Sequence, residues 1–138
     1  MPADFISLKV GINIQGQASM SERTFGTSLI GFVQIIREKH PCISFVVISP
    51  IYSPPREEQM NGVGFNLIIM REHVEASVKK IRRHGDDNIY YVDGLMLFGP
   101  EHEDFLPDDL HPNSDGYKLL GTSFLREVAE PLFSKRIL

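Results

Sequence analysis

Three short apolar runs alternate along the chain with three longer stretches whose apolar residues recur every three or four positions. The runs are Phe5–Val10, Ile43–Ile48 and Ile89–Val92, closed by Gly11, Ser49-Pro50 and Asp93-Gly94. β-Branched and aromatic residues between turn formers predict strands. The periodic stretches predict helices over roughly 24–39, 65–84 and 115–129. In the first, Phe25, Leu29, Phe32, Val33 and Ile36 fall on one face, and Pro41 follows the stop. Leu67, Met70, Val74, Val78 and Ile81 make the stripe of the second, with a Glu75–Lys79 pair and Gly85 as C-terminal cap. The third carries Tyr117, Leu120, Phe124 and Val128 on one side, with Ser114 as its expected N-cap.

The order β-α-β-α-β-α predicts a parallel sheet with right-handed crossovers and helices on its faces, a three-layer α/β/α domain. The segments 50–63 and 93–113 are too long to be simple connectors, and loops of that length in α/β domains often carry function. They follow the second and third strands, so they belong to the carboxyl edge of the sheet, where such folds bind ligands. Gly11-Ile12-Asn13 follows the first strand at the same edge. Asn13 and His111, distant in sequence, are therefore expected at one rim.

His111 is singled out by its neighbours in Asp108-Asp109-Leu110-His111-Pro112. A carboxylate three residues before a histidine can accept the Nδ1 proton. Nε2 is then free to take a proton from a nucleophile, which is the base-and-orienter arrangement of serine hydrolysis.

Asp108-x-x-His111-Pro112, with Gly116-Tyr117 opening the last helix, resembles the final sequence block of the SGNH hydrolases, also called GDSL esterases and lipases. Gly11-Ile12-Asn13 after a strand is similar to that superfamily's third block, usually Gly-x-Asn-Asp; Ile14 stands here where the family has Asp. The resemblance covers the whole chain and the later part of the family's domain. It implies a flavodoxin-like, parallel sheet truncated to about three strands, a single partial domain over residues 1–138. It implies acyl-ester hydrolysis or acyl transfer without cofactor or metal. His111 would be general base, Asp108 its orienting acid, Asn13 a side-chain oxyanion donor and Gly11 part of the substrate side. Loss of one such donor typically costs about 3–4 kcal/mol.

The family's Gly-Asp-Ser nucleophile block has no match. Gly26-Thr27-Ser28 and Gly121-Thr122-Ser123 lie in helical patterns, and there is no Gly-x-Ser-x-Gly elbow. The resemblance thus implies a fragment that lacks its serine and is nearly inactive alone. The alternative is a noncatalytic assembly module that complements a separate N-terminal chain. In the family's strand order the Phe5–Val10 edge would be uncovered, and an exposed edge invites pairing. A homodimer joined through that edge is expected.

Composition excludes other classes. Net charge is −4 and no basic block exceeds Lys79-Lys80 and Arg82-Arg83, which argues against nucleic acid as a partner. A single cysteine, an N-terminus without a basic leader and no long apolar run point to a cytoplasmic protein without a membrane span. No Gly-rich phosphate loop separates a strand from a helix, which disfavours a nucleotide or flavin binder. His40, His73 and His84 read as surface histidines, and Glu101-His102-Glu103-Asp104 as a solvated segment rather than a metal site. Ser49 and Ser53 lie at the functional edge, but their flanking prolines suit turn residues better than substitute nucleophiles. Cys42, after Pro41, reads as a small buried residue.

Overall fold

The computed structural model describes residues 2–133. Three parallel strands, β1 (Phe5–Lys9), β2 (Ser44–Ile48) and β3 (Ile89–Val92), form one sheet in the order β1-β2-β3. The register sets Lys9 opposite Ile48, and Ile48 opposite Val92. The three strands therefore end level, and the loops that follow them share one rim.

Helices α2 (Glu22–Arg37) and α4 (Leu67–Arg83) cover one face. Phe25, Leu29, Val33, Met70, Val74, Val78 and Ile81 pack there on Phe45, Val47 and Ile89. The other face is covered by α5 (Gly94–Leu97), α6 (Ser114–Phe124) and a π-helical segment, Leu125–Phe133. Leu97, Val128 and Phe133 pack there on Val46 and Ile48. β2, buried at every position, is the centre of this α/β/α arrangement. Two of the expected loops carry short helices: α3 (Pro54–Glu58) after β2, and a 3-10 turn (Pro100–Phe105) after α5. α1 (Ile12–Gly16) follows β1 directly. No helix among the described residues is long and apolar enough to cross a membrane.

The structure departs from the sequence pattern at five places. The N-cap of α6 is Asn113, not Ser114: its Oδ1 accepts from the N–H groups of Asp115 and Gly116, the orphan donors of the first turn. The last helix is α only to Phe124 and then widens into π winding through Phe133. The five-residue step from Val128 to Phe133 suits a wider turn, which brings both onto β2. Phe32 is 50% exposed, because no element among the described residues covers its side of α2, and Tyr117 is exposed in the first turn of α6. Cys42 is exposed rather than buried, in the bend that leads into β2.

Candidate active site

The site begins where the strands end at the rim. Gly11 leaves β1 with φ 128° and is buried; a Cβ there would lie 2.6 Å from Met70 Sδ and from Pro50 Cγ. Glycine is needed at this position for both conformation and close approach. It turns the chain into α1, whose first turn carries Asn13, exposed. The Nδ2 of Asn61 donates to the Gln15 carbonyl at 2.8 Å and ties α1 to the segment after α3. Among the described residues Asn13 makes no side-chain hydrogen bond with Asp108 or His111.

Behind β2, Ser49 is buried, and its hydroxyl accepts from the N–H of Gly94 at 2.9 Å. The Tyr91 hydroxyl lies 3.1 Å from the same oxygen. Ser53 is buried as well: it donates to the Asp109 carbonyl at 2.7 Å and accepts from Arg56 Nη1 at 3.1 Å. Both hydroxyls are thus engaged in holding the rim together, in accord with structural rather than nucleophilic serines.

Asp108 and His111 meet as their spacing suggests. His111 Nδ1 lies 2.7 Å from Asp108 Oδ2, and Asp108 Oδ1 accepts from the N–H groups of His111 (2.6 Å) and Leu110 (3.1 Å). The imidazole contact and these backbone donors hold the Asp108 carboxyl at a pKa of about 2. An ionised carboxylate only accepts, so Nδ1 is the donor in this contact, which leaves Nε2 as the acceptor whenever the ring carries a single proton. The pair is open to solvent, with side-chain exposures of 54% and 68%. The turn is seated from behind. Asn113 N–H donates to the Phe105 carbonyl at 2.8 Å, and Gly116 lets α6 approach Phe105 and Pro112.

One residue of this region escaped the sequence reading. Arg71, 8% exposed, donates through Nε to the Pro50 carbonyl (2.9 Å) and through Nη2 to the Ile51 carbonyl (3.3 Å). Its guanidinium also clasps both carboxylate oxygens of Glu57, at 2.6 and 2.7 Å. Glu57 in turn accepts from the Ser53 N–H at 3.1 Å. A charged residue inside the apolar stripe, four after Leu67 and three before Val74, was the available signal.

A cavity of about 630 Å³ lies at the opposite, amino edge of the sheet, lined in part by Gln34, Arg37, Lys80 and His84. Arg37 is held there by Asp86 and by the carbonyls of His40 and Ile43. The Asp108–His111 pair stands at the other, carboxyl rim, tied through Asp109 to Ser53 beyond β2.

No protein-family model matches the chain, and no curated protein matches it. Solved structures do. The salicylyl-acyltransferase SsfX3 from a tetracycline biosynthetic pathway superposes with a TM-score of 0.82 at 38% identity, over 94% of this chain and 38% of that one. A Bacteroides ovatus protein described as a GDSL-like lipase matches with a TM-score of 0.71 at 23% identity, over 93% of this chain and 36% of its own. A peptidoglycan O-acetylesterase has the same fold, with a TM-score of 0.64 at 18% identity, over 96% of this chain and 39% of that one. The chain thus spans about two-fifths of the length of these proteins.

Proposed function

Because the chain belongs to the SGNH, or GDSL, hydrolase superfamily, we propose that it supplies the proton-transfer half of an acyl-ester hydrolase or acyl transferase. The observation that carries this reading is the 2.7 Å contact between His111 Nδ1 and a carboxylate held ionised at about pKa 2. In the proposed reaction His111 Nε2 takes the proton of a serine hydroxyl as its oxygen attacks the ester carbonyl. Asp108 holds the ring and balances the imidazolium. The Asn13 amide donates to the oxyanion, and Gly11 contributes backbone on the substrate side. The imidazolium protonates the departing alcohol, and water, activated in turn by His111, releases the acid. No cofactor or metal enters these steps.

The nucleophile is supplied from outside these 138 residues, whose rim serines are buried and hydrogen-bonded. The chain alone is accordingly expected to be nearly inert. Hydrolysis of a chromogenic short-chain ester, with His111→Ala as control, tests this. Robust turnover that the substitution leaves intact would end the proposal.

A homodimer is a second, separate proposal, and it starts from the sheet edge. β1 is an edge strand, and next to it Leu8, Val10, Ile14, Met20, Leu29 and Phe32 line an open apolar trough of about 300 Å³. Unpaired backbone beside apolar surface is a pairing edge. We propose that two chains join there in a homodimer, and a monomeric mass by light scattering at high concentration would contradict it.

A further inference from the structure

We propose that Ser53 is a positioning residue for the Asp108–His111 pair, acting through the backbone of Asp109. The inference rests on the reading of that pair as base and orienter, and adds the part that holds it in shape. Asp109 has φ 60°, in the left-handed region that a side chain seldom occupies. This residue sits inside the turn by which the Asp108 carboxylate collects the N–H groups of Leu110 and His111 together with the imidazole. If Asp109 relaxed to an ordinary conformation, those two N–H groups would swing away from Asp108, and the ring would lose its orienter. Strained backbone persists only where surrounding structure enforces it.

The Asp109 N–H donates to the Leu106 carbonyl at 3.1 Å, and the side-chain group that holds its carbonyl is the buried Ser53 hydroxyl, at 2.7 Å. Its polarity is fixed. Arg56 Nη1 can only donate, and it occupies the acceptor side of Ser53 Oγ at 3.1 Å, so the hydroxyl proton is committed to Asp109. Ser53 is itself held, since its N–H donates to the Glu57 carboxylate that Arg71 clasps from α4. A continuous set of hydrogen bonds thus runs from the helix layer to the base: Arg71, Glu57, Ser53, Asp109, and then the Asp108–His111 turn. Ser53 touches neither His111 nor any reacting atom in this scheme; its effect is on which ring nitrogen carries the proton.

Long-range proton–nitrogen NMR of the 138-residue chain, at a pH where His111 is neutral, reads that effect directly as the ratio of the two imidazole tautomers. The wild-type ring is expected to be mainly protonated at Nδ1. Ser53→Ala should lower the Nδ1–H to Nε2–H ratio roughly fivefold, the factor for one ordinary hydrogen bond. Asp109→Val, which disfavours the left-handed conformation from the other side, should do the same and decides the matter if Ser53→Ala does not fold. Ser77→Ala removes a comparable buried bond, from the Ser77 hydroxyl to the His73 carbonyl at 2.7 Å, and should leave His111 unchanged. A folded Ser53→Ala chain with the wild-type ratio would overturn the inference, as would an equal shift in Ser77→Ala. Either result leaves the base reading standing. Conversely, ester turnover independent of His111 would remove that reading without touching the tautomer result.

Discussion

Arg71→Met should cost this small domain a large share of its stability. The guanidinium and the Glu57 carboxylate are 8% and 14% exposed, so the ion pair is poorly screened. Removing the cation strands a largely buried carboxylate and leaves the carbonyls of Pro50 and Ile51 without this donor. Breaking one side of a buried pair typically costs about 3–5 kcal/mol. Each stranded carbonyl carries about 1–3 kcal/mol of its own, part of which water recovers at an exposed rim. A net loss of about 4 kcal/mol is therefore expected, against a typical total of about 5–15 kcal/mol. Adding Glu57→Gln should restore about 1–3 kcal/mol, because it removes the orphan charge yet keeps an oxygen for the Ser53 N–H. Urea unfolding followed by circular dichroism reads both values from midpoints at constant slope. An Arg71→Met loss below about 1 kcal/mol, or a Glu57→Gln change that worsens the single variant, would refute the clamp.

Two further expectations follow from the same geometry. Gly94→Ala would press a Cβ against the carbonyl oxygens of Ser49 and Pro50, rigid backbone on β2's exit, so a loss towards the upper end of about 1–3 kcal/mol is expected in the same unfolding assay; no change would mean that the rim is looser than described. Asp108 is held at about 2 against an ordinary 3.8, so it binds fewer protons folded than unfolded; its stabilisation is complete above about pH 4 and is lost as pH falls towards 2. Carbon NMR of the Asp108 carboxyl should show that low midpoint, returning towards the ordinary value in His111→Ala, and an unshifted wild-type midpoint would contradict the pairing.

The layers and the Asp108–His111 contact were legible because they depend on local pattern. β2 read as a continuous apolar run because it is buried on both faces, and the α4 stripe because one side of that helix meets the sheet. Asp108 and His111 meet within one turn, so spacing alone announced them. What failed depends on what lies opposite. Phe32 shares a helical face with buried Phe25 and Leu29 but projects beside the trough, where the described chain has no covering element. Asn113 outcompeted Ser114 as cap by the position at which the helix turns in, one residue earlier than the pattern suggests. Arg71 and Ser53 take their roles from partners 14 to 56 residues away, and no periodicity encodes such pairs.

The most direct test replaces the matching 38% of the salicylyl-acyltransferase with this chain and measures hydrolysis of a chromogenic short-chain ester by the chimera. If His111 is the base, the folded chimera turns over and His111→Ala lowers its rate by about 10³-fold or more. A folded, active chimera indifferent to that substitution would contradict the assignment of His111, and with it the function proposed for the chain.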